Sequence, residues 1–202
     1  MLKKLVVNNA MRIIKGNYPN YAKEELEKIQ YGLEAVYLSV TKIIVVIILS
    51  IVLNIFKETV LLLLFFNLLR MTAFGIHASK SWICWVTSIP TFIGIPLICK
   101  YVVFSDYILI ILSIFSLISF VLFAPADTVK RPLIRKNRRR IYKLLTIIIS
   151  IPYIFVMIFI NNSFLKNTIT LAMLIESVLI SPLTYKLFKM PYNNYKTYKK
   201  RV

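Results

Sequence analysis

Six apolar segments, each close to the length of a membrane-crossing helix, constrain this chain more than any other feature. A helix needs about 20 mainly apolar residues to cross the hydrocarbon core of a bilayer. Hydrophobic residues make up 58% of the chain, whereas soluble globular chains have roughly 45–50%. The sequence therefore predicts an all-α, polytopic membrane protein with about six membrane-embedded segments. These cover residues 35–56, 59–75, 82–99, 107–124, 144–160 and 168–188.

No linker or internal repeat divides the 202 residues, so a single membrane-embedded domain is predicted for 1–202. Within it, we expect an amphipathic surface helix at 1–19, a helical membrane core at 20–188 and a basic cytosolic tail at 189–202. Apolar residues recur at helical spacing along 2–15 opposite a basic face, which is typical of a helix lying on an anionic membrane. A helix packed on the protein core has the same pattern, so both interpretations stay open. A second helix is expected to run straight into the first apolar segment.

The third segment, 82–99, differs from the others because Pro90, Gly94 and Pro96 interrupt it. Membrane helices tolerate proline where neighbouring groups satisfy the carbonyl that it frees. We therefore expect this segment to be kinked or re-entrant.

The distribution of basic residues predicts the orientation in the membrane. Only 3 of the 26 Lys and Arg residues, Lys57, Lys100 and Lys166, lie in the connections expected on one side. The others concentrate in the N-terminal region, the connection 70–80, residues 130–143 and the tail, which the positive-inside rule assigns to the cytosol. Both termini and the second-to-third connection are thus expected there. The net charge of +18 follows from this topology and from contact with anionic lipid, and no nucleic-acid partner is predicted.

The second-to-third connection contains the single histidine of the chain, His77, and it is followed by Cys84, one of two cysteines. Such a pair is the minimum for thiol catalysis, because the imidazole can remove and return the thiol proton. The alternative is a buried structural thiol beside a solvated histidine. One histidine and two cysteines cannot complete a four-ligand zinc site, so no metal and no other cofactor is predicted.

Catalysis by this pair requires a break in the helix between its two members. On one continuous helix they would lie about 10.5 Å apart along the axis, too far for a hydrogen bond. Gly75 offers such a break, and Ser79 or Ser81 is a suitable N-cap for a helix that carries Cys84. With Ser81 as the cap, the thiol falls in the first turn, where the helix dipole favours its thiolate form.

Two blocks of sequence resemble the signature of the accessory gene regulator B (AgrB) family, the membrane peptidases of Gram-positive quorum sensing. The similarity covers most of the chain in length, hydropathy profile and basic connections. Phe74 departs from the pattern, since many members have a second glycine at that position. The first block reads Arg70…Gly75-x-His77-Ala78…Cys84, and the second reads Ala124-Pro125-Ala126-Asp127-Thr128, then Arg131-Pro132-Leu133.

The resemblance implies that His77 and Cys84 are the catalytic dyad of a cysteine endopeptidase. Its substrate would be an AgrD-like precursor with an amphipathic N-terminal helix, a signal segment and an acidic C-terminal tail. Cys84 would attack the carbonyl that ends the signal segment, releasing the tail and forming a thioester. A cysteine or serine of the bound peptide would then close a thiolactone or lactone ring. A homodimer is also implied. The competing interpretation is a non-enzymatic membrane protein, such as a transporter or an assembly partner.

Three further residues are expected to support the dyad. Arg70 lies about one turn inside the second segment, where a charge is a functional candidate. It could bind a substrate carboxylate, polarise the scissile carbonyl or reach a lipid phosphate. Gly75 is expected to be conformational, and Asp127 could orient the imidazole of His77 or cap a helix end. Glu176, in the sixth segment, could pair with Arg70 or serve helix packing.

A cluster of basic residues follows the second block, in what is predicted to be a cytosolic loop, 130–143. Long-range attraction to this cluster could capture the acidic tail of the precursor, and contact with lipid headgroups is the compatible alternative. The tail at 192–201, where aromatic and basic residues alternate, is expected to be a frayed end. The residues assigned to capture are Lys130, Arg131, Arg135, Arg138, Arg139 and Arg140.

Overall fold

The structure, a computed structural model, describes residues 2–76, 81–128 and 132–198, without the side chains of Leu2, Ser81, Cys84, Thr197 and Tyr198. It is 82% helical, and the described ranges contain no β-strand, which confirms the predicted all-α class. The helices are α1 (Leu2–Asn17), α2 (Lys23–Val52), α3 (Phe56–Ala73), α4 (Ser81–Ile89), α5 (Ile95–Tyr101), α6 (Asp106–Phe123), α7 (Lys136–Phe159), α8 (Ser163–Ile180), α9 (Pro182–Leu187) and α10 (Asn194–Tyr198).

The chain forms two compact units, Met1–Leu49 and Ser50–Val202. The first contains α1 and most of α2, and Lys3 of α1 forms an ion pair there with Glu34 of α2. As expected, α2 is one helix that runs through the first apolar segment. The prediction of a single domain over the whole chain stays a prediction.

Helix α1 presents apolar side chains to more than one environment. Val7 and Met11 are buried, whereas Leu5, Val6 and Ile13 are exposed. A packed helix and a helix on the membrane surface therefore both remain open interpretations of the amphipathic pattern.

In the second unit, α8 is the central helix and packs against α3, α5, α6 and α7. Its apolar character is the weakest among the candidate membrane spans, because its buried residues include several polar ones. In lipid, polar side chains are stabilised where they face neighbouring helices and find partners there. Ser113 of α6 and Thr170 of α8 make such a contact, with their hydroxyl oxygens 3.3 Å apart.

Helices α3, α6 and α8 end at the same level, at the end of the bundle where the candidate site lies. Gly75, just beyond α3, donates its N–H to the carbonyl of Ala126, just beyond α6. Ile76 donates its N–H to the carbonyl of Leu179, in the last turn of α8. Three helix ends are therefore joined by backbone hydrogen bonds.

The starting ends of the same three helices are also level. Lys100 of α5 pairs with Glu58 near the start of α3, and Lys166 near the start of α8 pairs with Asp106 of α6. Each of the three helices has 18 residues, a length of about 27 Å. Because that is close to the hydrocarbon thickness of roughly 30 Å, α3 has the length to cross the same layer as α6 and α8.

Among the described residues, four helices are long and apolar enough to cross a membrane, namely α2, α6, α7 and α8. Helix α3 carries three charged residues in its 18, Lys57, Glu58 and Arg70. The third apolar segment is split into α4, the π-helical turn Pro90–Gly94 and α5. The count of about six membrane-embedded segments therefore stays a prediction, which the level ends of α3, α6 and α8 support.

Two boundaries differ from the sequence-based expectations. The basic region predicted to be a loop is helical from Lys136 onward, because α7 extends the membrane span by two turns into a polar, solvated stretch. The sixth segment is not continuous either. It breaks at Ser181, whose hydroxyl oxygen accepts the N–H of Leu183, and Pro182 begins α9.

Candidate active site

The three residues that precede His77, the 74–76 segment, are held by backbone contacts on two sides. Phe74 and Ala126 form a parallel β-bridge, in which Ala126 donates its N–H to the carbonyl of Ala73 at 2.9 Å and accepts the N–H of Gly75 at 2.8 Å. On the other side, the N–H of Ile76 donates to the carbonyl of Leu179 at 3.2 Å. The entry into the candidate catalytic connection is therefore fixed by the ends of α6 and α8.

Gly75 is required by this arrangement for two independent reasons. Its φ of +92° lies in the left-handed region, where residues with a Cβ are strained. A Cβ built on it would also lie 2.6 Å from Nη1 of Arg70 and 3.0 Å from the carbonyl oxygen of Leu179. The structure thus gives Gly75 a conformational role, and α3 ends directly before it, at Ala73.

Arg70 connects the 74–76 segment to α8 through a buried ion pair. Its Nη1 lies 3.4 Å from both carboxylate oxygens of Glu176, which is fully buried. Its Nη2 donates to the carbonyl of Ile76. Of the two roles left open for Glu176, pairing with Arg70 is the one the structure shows. The Arg70 guanidinium therefore bonds to groups of the protein itself. These contacts favour a role in which Arg70 holds the chain that precedes His77.

Asp127 is 4% exposed, and its carboxylate accepts three backbone N–H groups. Asn194 donates to Oδ1 at 2.9 Å, Tyr195 donates to Oδ2 at 2.8 Å and Leu133 donates to Oδ2 at 3.3 Å. Since Asn194 and Tyr195 begin α10, these contacts correspond to the helix-capping alternative. A contact with His77 lies outside the described residues, so orientation of the imidazole by Asp127 stays a prediction.

Residues 77–80 lie outside the described ranges, and with them the position of His77. Cys84 is the fourth residue of α4, which begins at Ser81, so it lies at the end of the first turn of a new helix. Because α3 ends at Ala73 and α4 begins at Ser81, Arg70 and Cys84 lie on separate helices. The pairing of the two catalytic candidates stays a prediction.

The structure divides the residues assigned to substrate capture into three groups. Lys130 and Arg131 lie outside the described residues. Arg135, Arg138 and Arg140 are exposed at the start of α7. Arg139 is different, since its guanidinium lies 3.5 Å from the centre of the Tyr195 ring and donates to the carbonyl of Leu133. Its contacts indicate a structural role.

The expectation of a frayed end at 192–201 is wrong for residues 192–196. We call residues 190–196 the C-terminal clasp. Met190 donates its N–H to the carbonyl of Tyr185 at 2.8 Å, and the rings of Tyr185 and Tyr192 pack edge to face with centroids 5.1 Å apart. Two further N–H groups of the clasp bond to Asp127. The clasp is ordered because it supplies donors that a buried carboxylate needs.

Sequence reasoning missed Tyr185, Asn194 and Tyr195 as neighbours of the site. A signal was present in the run Pro191-Tyr192-Asn193-Asn194, because proline and consecutive asparagines are typical of a turn that precedes a helix. Asn193 has the positive φ, +57°, that such a turn requires. No group of three or more metal-ligating side chains occurs in the part of the chain that the structure describes.

The fold and this site define a helical membrane protein in which a buried ion pair and three helix ends hold the 74–76 segment after α3, and in which the following helix, α4, carries Cys84. The profile of the accessory gene regulator B (AgrB) family matches residues 7–180. The chain belongs to this family.

Named relatives agree with that membership. A putative AgrB-like protein of Listeria innocua is 33% identical over 171 residues, 85% of this chain and 84% of its own length. A putative AgrB-like protein of Clostridium acetobutylicum is 29% identical over 180 residues, 88% of this chain and 85% of its own. The accessory gene regulator protein B of Staphylococcus aureus is 32% identical over 159 residues, 78% of this chain and 82% of its own. No solved structure matches the chain significantly.

Proposed function

We propose that this protein is a membrane cysteine endopeptidase that cleaves the C-terminal tail from an AgrD-like precursor peptide and promotes its cyclisation. One observation carries the proposal: backbone bonds to two other helix ends and the Arg70–Glu176 pair hold the 74–76 segment immediately before His77. A general base needs hydrogen-bond geometry to its nucleophile, and a fixed segment on one side of the connection contributes to that geometry.

In the first step, His77 takes the thiol proton of Cys84, and the thiolate attacks the carbonyl carbon at the end of the signal segment. A C–S bond forms, the C–N bond breaks and the imidazolium returns its proton to the leaving amine of the acidic tail. Placement of Cys84 near the start of α4 supports this step, because the positive end of a helix stabilises a thiolate.

In the second step, a thiol or hydroxyl of the bound peptide attacks the acyl-enzyme thioester. A new C–S or C–O bond closes the ring, the bond to Cys84 breaks and its thiolate is restored, while His77 accepts the proton of the attacking group. Exchange of one thioester for another is nearly balanced in energy. The site therefore has to hold the internal nucleophile close and exclude water.

The exposed Arg135, Arg138 and Arg140 at the start of α7 are the described residues available to attract the acidic tail. We further propose a homodimer, contact of the basic regions with anionic lipid, and a cytosolic position for the site and both termini. Charge asymmetry supports this orientation, because Lys100 and Lys166 at the opposite end of the bundle are paired with acidic residues.

Co-expression of the protein with a candidate precursor tests the proposal, with cleavage followed as a mass shift of the peptide. Wild type should cleave, whereas Cys84→Ala and His77→Ala should not, and activity should fall on acidification between about pH 8 and pH 5 as the thiolate is lost. Cys99→Ala is the matched control, since Cys99 is a buried thiol on α5. Equal cleavage by wild type and Cys84→Ala would favour the non-enzymatic interpretation.

A further inference from the structure

We propose that the C-terminal clasp, residues 190–196, is a positioning element of the active site that acts through Asp127 on the segment leading to His77. This inference rests on the proposed function, because it assigns a new participant to the same site. The family profile ends at residue 180, so the clasp lies beyond the matched region.

A short path of hydrogen bonds joins the clasp to the candidate catalytic connection. The N–H groups of Asn194 and Tyr195 donate to the two carboxylate oxygens of Asp127 at 2.9 and 2.8 Å. The adjacent residue, Ala126, accepts the N–H of Gly75 at 2.8 Å. Gly75 is two positions before His77, so four residues separate the clasp from the proposed general base.

The bonds at Asp127 cannot be exchanged for bonds to water without opening the protein. Asp127 is 4% exposed and Asn194 is 5% exposed. A buried carboxylate that loses its donors is strongly destabilised, and the two shortest donors come from the clasp. The side chain of Asn194 adds a bond to the Asp127 carbonyl, which also accepts the hydroxyl of Tyr185 at 2.9 Å. Loss of the clasp should therefore move the 124–128 loop.

The clasp is itself fixed by the elements around it. The Tyr195 ring lies against the guanidinium of Arg139 on α7, and the Tyr192 ring packs on Tyr185 of α9. Burial raises the pKa of Tyr192 to about 12, so this phenol is neutral at physiological pH. These contacts link α7, α9 and the clasp to one loop, and none of them involves the exposed Arg135, Arg138 and Arg140.

The clasp contacts the 124–128 loop, which is bonded to the 74–76 segment, and it does not contact the exposed basic residues Arg135, Arg138 and Arg140. Its loss should therefore affect the chemical step more than substrate capture. Asn194→Asp places a carboxylate oxygen where Nδ2 now donates to the Asp127 carbonyl at 3.3 Å. Asn161→Asp makes the same chemical change at an exposed position outside the clasp, between α7 and α8, and is the matched control. Asn194→Ala removes the side-chain bonds but keeps the N–H group that Asp127 accepts.

The experiment uses the purified full-length protein in lipid vesicles with a synthetic precursor peptide. We expect Asn194→Asp to lower kcat per folded molecule by about tenfold or more with KM within about twofold of wild type, as for a displaced catalytic group. Asn194→Ala should be intermediate and should decide the question if Asn194→Asp does not fold. Asn161→Asp should resemble wild type.

A second readout needs no precursor: the rate at which iodoacetamide alkylates Cys84, measured against pH by peptide mass spectrometry. A thiolate paired with His77 reacts at lower pH than an ordinary thiol, and Asn194→Asp should shift the profile towards that of His77→Ala. Unchanged kcat in Asn194→Asp, or lowered kcat with an unchanged alkylation profile, would overturn the role of the clasp. If wild type and His77→Ala share one profile and neither cleaves, it is the proposed function that fails.

Discussion

At the scale of single residues, Arg70 explains why a charge is kept inside an apolar helix. Its guanidinium meets the Glu176 carboxylate through one nitrogen and the Ile76 carbonyl through the other. A guanidinium suits this task because its donors diverge in a rigid plane, whereas lysine has one flexible ammonium group. Arg70 therefore holds the end of the 74–76 segment, which immediately precedes His77, and Gly75 leaves the space in which the guanidinium lies.

Gly75→Ala tests whether the space beside Gly75 is needed for activity. The new Cβ would lie 2.6 Å from Nη1 of Arg70 on a backbone with positive φ, so either the arginine or the 74–76 segment has to shift. We expect precursor cleavage to fall by about 100-fold, as for a misplaced catalytic group. Gly94→Ala is the control, because no atom lies within 4 Å of its built Cβ. Comparable activity of the two variants would contradict a requirement for glycine at 75.

The ion pair can be tested by separating stability from activity. Glu176→Leu or Arg70→Met alone leaves a charge without its buried partner, and each should destabilise the protein by about 3–5 kcal/mol. The double variant Arg70→Met/Glu176→Leu should regain much of that stability but not the cleavage activity, since the Ile76 carbonyl still lacks its donor. Thermal unfolding in detergent and precursor cleavage measure the two effects. Recovery of both would show that the pair serves packing alone.

At the scale of elements, α7 combines two functions along one helix. Its apolar part packs against α3, α6 and α8, whereas its first two turns carry Arg138, Arg139 and Arg140 of the basic cluster. Within that cluster, Arg139 is held by Tyr195 and Leu133, and its neighbours Arg138 and Arg140 are exposed. Neighbouring residues of a helix point in different directions. The prediction of a loop at 130–143 could not distinguish Arg139 from Arg138 and Arg140 in this way.

Substitution of glutamine for Arg135, Arg138 and Arg140 together should weaken capture of the acidic tail. We expect KM at low salt to rise about tenfold, with kcat retained and with much less dependence on ionic strength, since long-range attraction is screened by salt. Arg139→Gln also removes one positive charge from the basic cluster, but it disturbs the contact of Arg139 with Tyr195 of the clasp. In that variant kcat, and not KM, should change, and it should fall. Steady-state kinetics at several salt concentrations measure both. A KM insensitive to the triple substitution would favour lipid contact as the role of this cluster.

The sequence predicted helices α2 and α6, and the end of α3 before Gly75, better than it predicted the connections between helices. Apolar length and helical spacing identify a span, and a glycine between charged and catalytic candidates indicates a break. The two partners of Asp127 in the clasp could not be predicted because they lie 67 and 68 residues further along the chain. Long-range pairing of a side chain with backbone N–H groups leaves little trace in local sequence patterns.

At the scale of the whole molecule, the two ends of the helical bundle differ in charge. At the end where α3, α6 and α8 begin, Lys100 and Lys166 are paired with Glu58 and Asp106. At the other end, described basic residues at the start of α7 are exposed to solvent. This asymmetry reinforces the orientation that the positive-inside rule predicts, with the candidate site on the cytosolic side.

Single-cysteine labelling tests that orientation in a Cys84→Ala/Cys99→Ala background. A membrane-impermeant maleimide should label Val103→Cys in intact cells, but Lys80→Cys and Arg140→Cys only after permeabilisation. Val103 is a suitable outer position because it is 77% exposed. Labelling of Lys80→Cys from outside would mean that α3 does not cross the membrane and that six crossings are wrong.

The central claim is that Cys84 forms a covalent thioester with the precursor, and intact-protein mass spectrometry tests it most directly. Wild type mixed with a precursor whose internal nucleophile is replaced by alanine should gain the mass of the peptide without its acidic tail. The adduct should be removed by hydroxylamine, map to Cys84 and be absent from Cys84→Ala. If the tail is released with no adduct on wild type, or if Cys84→Ala carries the same adduct, the proposed mechanism is wrong.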